Sequence, residues 1–215
     1  MVSAVPEFQS LVARVAAETQ LDHRDADREL ERLLLEPSAY AYRTWLSHQL
    51  AFHAPVEAAL EATPGLPGII ATRPRSKVTR LQADLRALGV ELELIEKLTP
   101  CPLVPPAFAS VPIALGWLYV AERSTLHFHN AYRQLSRTLP TQLTFAAGFL
   151  KCYEGTAGVM WRAYVAAVDA ICKSPGTADA LMASVREAFR AARAASATAR
   201  ASDAVETAAS PAMRE

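Results

Sequence analysis

The chain has 215 residues, is 51% hydrophobic, and balances 22 basic side chains against 22 acidic ones. That length and apolar content point to one domain with a sizeable core, and zero net charge argues against a nucleic-acid partner, which would call for a basic excess. Only 8 glycines and 7% aromatics, beside abundant alanine, favour helices over sheets.

The N-terminal stretch "MVSAVPEFQSLVARVAAETQ" has no basic segment followed by an apolar core, so it does not read as a secretory signal. A first helix is predicted over 8–35. Phe8, Leu11, Val12, Val15, Leu30, Leu33 and Leu34 recur at helical spacing, and Thr19, His23 and Ala26 continue their face. The charge-rich "DHRDADRELER" suits an exposed opposite face. Pro37 and Ser38 end this helix and start the next. The second helix, over 39–62, places Tyr42, Trp45, Leu46, Leu50, His53, Val56 and Leu60 on one side. "TPGLPG" at 63–68 is a loop, and basic residues follow in "TRPRSK". A third helix covers 78–88 with Gly89 as its C-cap, and 90–98 form a short further helix or turn. Five prolines between 100 and 112 make "TPCPLVPPAFASVP" a connector. A long helix is then predicted over about 112–138. Another begins near 141, is disturbed around 154–158 and resumes; a last one covers 177–194. The tail has no apolar face and is expected to be disordered. The expectation is therefore an all-α single domain of seven or eight helices over 1–195, with a disordered tail over 196–215. No apolar run approaches the roughly 20 residues of a membrane span. Cys101, Cys152 and Cys172 are odd in number and lack a CxxC pair, so reduced thiols in a cytoplasmic protein are expected.

The five histidines are His23, His48, His53, His127 and His129. His23 and His53 fall on apolar faces and His48 falls off one. His127 shares a strip with Gly116, Val120, Arg123, Ser124 and Ala131, while His129 points about 200° away from it. No pair has the i, i+4 spacing of a helical zinc site, and neither HExxH nor a Glu-x-x-His pair is present. A phosphate loop, a GxSxG elbow and a catalytic triad are likewise not found.

Four segments, in order, resemble the heme oxygenase family, in particular the bacterial type found with bacteriophytochromes. They are Thr19-x-x-x-His23, "RSKVTRLQADLRALG" at 75–89, "LGWLYVAERSTL" at 115–126, and "FLKCYEGTAGVMWRAYVAAV" at 149–168. The resemblance implies a helical fold that sandwiches heme (iron protoporphyrin IX) between a proximal and a distal helix. It implies oxidative cleavage of heme to biliverdin, CO and ferrous iron, with an electron-donor protein as partner and no membrane insertion. It makes His23 the proximal iron ligand, with Thr19, Tyr119, Arg123, His127 and Phe128 around the cofactor. Ser124 becomes the residue that helps to hold a distal water.

The sequence departs from the family at the distal helix. Three glycines let the family's backbone pass close over heme, because a residue without Cβ permits that approach. Arg123, His127 and Phe128 stand at the matching positions, and all three are large. Forcing such atoms into a packed site costs about 1–3 kcal/mol each, so either the helix moves back or the side chains fill the cofactor's space. A second departure is Ala16, seven residues before His23, where the family has a basic partner for a heme propionate. Three outcomes stay open: a divergent heme oxygenase, a non-catalytic heme protein ligated by His23 and His127, or a protein that has lost heme and binds another ligand.

Overall fold

The computed structural model describes residues 10–97 and 100–209, apart from the side chains of Lys97 and of 197–209. Every regular element among the described residues is helical. The first expected helix is divided into α1 (Leu11–Glu18) and α2 (Gln20–Leu35). Ser10 starts α1 by accepting from the Ala13 N–H at 3.2 Å. Thr19 marks the division, its hydroxyl donating to the Val15 carbonyl at 2.7 Å. Such back-bonding competes with the helical ladder and bends it.

Ser38 caps α3 (Ala39–Ala62), accepting from the Ala41 N–H. Pro55 lies inside α3 and has no N–H for the Ala51 carbonyl four residues earlier. The Cys101 N–H donates to that carbonyl instead, at 3.1 Å, so the proline-rich connector docks where α3 lacks a bond of its own. The connector is pinned again by the Phe108 N–H on Thr63 Oγ1, at 3.1 Å, and by Phe108 stacking on Trp117.

α4 (Val78–Ala87) ends at Leu88, and Gly89 then takes a φ of +80°, which side chains rarely adopt. The short α5 (Leu92–Lys97) follows. The expected 112–138 helix is two, α6 (Val111–Arg123) and α7 (Thr125–Thr138), meeting at Ser124. α8 (Pro140–Phe145), a run of turns, α9 (Ala157–Ile171) and α10 (Pro175–Ala209) complete the chain. The count exceeds the expected seven or eight because both long helices are broken by a hydroxyl residue. α10 continues past its expected end near 194; the tail set apart at 196 falls partly on it, and 210–215 lie outside the described residues.

α6 lies along α10, and α3 packs on both α10 and α4. One core gathers Val56, Leu60, Leu115, Leu118, Tyr164 and Phe189; the other gathers Tyr42, Trp45, Leu46, Leu85, Phe128 and Phe149. α3 feeds both, which is why its apolar side is so broad. Each fully buried side chain of this kind contributes about 1.5–3 kcal/mol. Asp84 on α4 accepts from the Gly148 and Phe149 N–H groups at 2.8 and 2.7 Å, tying down the turns that follow α8.

Candidate functional site

α2, α3, the α6–α7 junction and α10 enclose a cavity of about 280 Å³. The bend at Ser124 shapes one wall. Thr125 donates its hydroxyl to the Glu122 carbonyl at 2.7 Å, and Ser124 reaches the Ala121 carbonyl at 3.5 Å. Two consecutive hydroxyl residues bonding back to the helix are enough to bend it. Behind the bend, Glu122 is fastened by a buried cluster. Arg75 pairs with one carboxylate oxygen, while Lys77 Nζ and the Tyr153 hydroxyl both donate to the other at 2.8 Å. Two of the three basic residues of "TRPRSK" are therefore interior, Arg75 at 5% exposed and Lys77 at 1%, as is Glu122 at 1%, while Arg73 stays exposed.

His23 is half-buried on α2, packed between the rings of Tyr119 and Phe189. Burial, and then the Arg123 charge, push its pKa down to about 4. Burial pushes the Tyr119 hydroxyl up to about 12. Both are neutral at pH 7, and the Tyr119 hydroxyl and His23 Nε2 share a hydrogen bond of 3.0 Å. That nitrogen is thus already engaged by a protein partner.

Arg123 leaves the last turn of α6 and crosses to α2. There its Nη2 meets both oxygens of Asp27, at 2.9 and 2.7 Å. Asp27 lies one helical turn beyond His23 on the same face. Arg123 is 6% exposed and also passes over the Phe189 ring. α2 and α6 are thus joined by a direct ion pair beside His23.

The remaining candidates separate. Thr19 is buried and spends its hydroxyl on the backbone. Phe128 is buried edge-on to Trp45 and Phe149 and also lines the cavity. Ser124 and His127 line it as well, with His127 on its exposed side. Arg14, the basic residue near Ala16, pairs with Glu18 at the surface. Two residues on the cavity wall that pattern reading passes over are His48 and Glu29. His48 was placed off the apolar face of its helix, yet it is 2% exposed, and its Nδ1 is in short contact with a Glu29 oxygen. Its burial comes from α2 covering a second side of α3, which single-helix periodicity cannot show. Among the described residues no group of three or more His, Cys, Asp or Glu side chains stands ready for a metal ion, and no helix is long and apolar enough to cross a membrane.

The low pKa of His23 has a consequence for stability. Between about 4 and 6.5 the unfolded chain binds a proton there that the folded protein refuses. The stabilising contribution is complete above 6.5 and is lost as pH falls toward 4. Buried His53, lowered in the same direction, adds to it. The expected result is a urea midpoint that falls between pH 7 and pH 5, and falls less steeply in His23→Gln.

No protein-family model matches the sequence, and no curated protein does. Among solved structures the chain is similar to the heme oxygenase of Neisseria meningitidis, crystallised with NO and CO bound. The TM-score is 0.69 and the identity 22%, over 89% of this chain and 92% of that one. The chain has the heme-oxygenase-like fold that its four motifs led one to expect.

Proposed function

We propose that this chain keeps a heme-oxygenase-like fold without the heme seat, and serves as a binding protein for a small ligand held in the cavity between α2, α3 and the α6–α7 junction. The Arg123–Asp27 pair carries this reading. A macrocycle lying between proximal and distal helices needs them apart, and here they are bonded to each other. The engagement of His23 Nε2 by Tyr119 supports it too. So does the cavity volume, at the lower limit of the roughly 300–1,000 Å³ of small-molecule sites. The residues as arranged do not fit a heme, and no oxygenase step is derived for them.

A second reading rests on one observation. His127 borders the cavity, and its charge is close enough to His23 to depress its pKa. Were the ion pair to open, these two imidazoles could take heme from opposite sides. A hemin titration followed in the Soret region decides between the readings. The expected outcome is no saturable binding in the native protein and a gain of binding in Arg123→Gly. Saturable binding by the native protein, abolished by His23→Ala, would overturn the proposal. A low-spin spectrum turning high-spin in His127→Ala would establish the second reading, and bilin formed with reductant and O2 would restore oxygenase chemistry.

A further inference from the structure

The wall of the cavity divides by depth. Trp45, Phe52 and Phe128 line it and are buried, so its interior is aromatic. The unpartnered nitrogens of that interior, His48 Nε2 and His53 Nδ1, are themselves sealed from solvent and offer a ligand no contact. Arg32 and His127 also line the cavity, yet both are exposed, which puts them at its mouth. Arg32 comes from the last turn of α2 and His127 from the first turn of α7, two helices that touch each other.

The charges around the mouth leave a cation over. Each carboxylate of the wall is already engaged: Asp27 by Arg123, Asp25 by Arg28, and Glu29 by His48 and Ser196. Arg193, another arginine of the wall, pairs with Asp22. Among the described residues no ion pair involves Arg32 or His127. A guanidinium has only donors, and an imidazole keeps at least one N–H in every protonation state. The atom that suits both is an acceptor, and the unmatched charge of Arg32 favours an anionic one. Held at the mouth, such an anion stays in contact with water and avoids the cost of a buried charge.

We propose that the cavity takes a small aromatic carboxylate, its one or two rings lying among Trp45, Phe52 and Phe128 and its carboxylate held at the mouth by Arg32, with His127 donating beside it. This rests on the reading of the cavity as the seat of a small ligand rather than of heme. A volume of about 280 Å³ suits a body of that size. The ring buried against aromatic walls supplies most of the affinity, and the exposed contacts supply the choice of charge.

The test uses the native chain at low salt and three probes: naphthoate; naphthamide, its neutral counterpart; and acetate, an anion without a ring. Binding is read by calorimetry, and the Trp45 indole N–H by NMR. Naphthoate is expected to bind saturably, to shift the Trp45 resonance, and to bind more tightly than either other probe. Exposed contacts of this kind are each expected to give about threefold, so Arg32→Gln and His127→Gln together should weaken naphthoate about tenfold. The double variant should leave naphthamide unchanged. Both positions are exposed, so it should keep the native thermal transition. Naphthamide or acetate binding as tightly as naphthoate would overturn the proposal. Naphthoate affinity unchanged in the double variant, a Trp45 resonance that does not move, or no naphthoate binding at all would do the same. A parallel hemin titration separates the failures. Hemin bound saturably by the native protein and lost in His23→Ala defeats the underlying reading, whereas failure of both hemin and naphthoate defeats only this inference.

Discussion

Replacing Glu122 with alanine is expected to lower the unfolding free energy by about 3–5 kcal/mol, the cost of leaving a buried charge without its counterpart. Two cations would be stranded at once. Lys77 is 1% exposed and Arg75 5%, and their bonds to Glu122 close one side of the α6–α7 bend. Tyr153 would keep its ring against Lys77 but lose the shorter of the two bonds that its hydroxyl donates, retaining the Arg75 carbonyl at 3.5 Å. Urea unfolding at pH 7 measures the loss. Glu18→Ala is the comparison, since Glu18 pairs with Arg14 and Arg186 at the surface, and exposed pairs contribute little; its midpoint should not move appreciably. The cluster is not expected to be the most stable solution for this volume. Replacing Arg75, Lys77 and Glu122 together with apolar residues of similar size should recover much of the loss. What the ions supply in addition is the placement of Glu122, and with it the direction in which the next residue, Arg123, leaves the helix.

The helices were legible because their apolar positions keep a 3.6-residue period. The bounds of α3 agree with those expected, and so does the glycine ending α4. What the period does not carry is a bend that preserves it. Thr19 and Ser124 are ordinary helix residues in a pattern count, and each becomes a break only because a hydroxyl finds a carbonyl one turn back. The burial of Arg75 and Lys77 follows from Glu122, 47 and 45 residues away. A long-range ion pair leaves no local trace.

The site was legible where it is chemically odd. Three large residues at positions that the resemblance reserves for glycine were the strongest local signal, and Arg123 does span the gap between the helices. Which of the three would do so could not be read. Phe128 turns into the aromatic core and His127 stays exposed at the cavity, so only Arg123 has both the length and a carboxylate within reach. His48 was hidden because its partner, Glu29, lies on another helix.

Gly116 is the position where the smallest substitution is expected to act most strongly after Glu122. It belongs to "LGWLYVAE", where α6 crosses α10. A Cβ there would collide with Ser184 Oγ and stand 2.7 Å from the Leu181 carbonyl oxygen. The hydroxyl could turn aside at the cost of its own bond to Leu181. The carbonyl is α10 backbone, so the two helices must separate. Gly116→Ala gains about 1 kcal/mol of helix propensity, yet overpacking of this kind costs about 1–3 kcal/mol; the expected net effect is destabilising, and Gly116→Val should be worse. Chemical denaturation checks the sign. Gly176, near the start of α10, has nothing within 4 Å of a built Cβ, so Gly176→Ala should instead stabilise by about 0.4–1 kcal/mol. Combining Gly116→Ala with Ser184→Gly removes the hydroxyl but not the carbonyl, and should recover only part of the loss. Full recovery would mean that side-chain bulk, rather than the approach of two backbones, requires glycine at this crossing. The crossing matters to the cavity because α10 carries Ala192 and Arg193 to its wall while α6 carries Val120 and Arg123. A shift between these helices should therefore loosen the Tyr119–His23 contact before it unfolds the protein. That appears as a rise in the His23 pKa from about 4 toward 6.5 in Gly116→Ala, measurable by NMR titration.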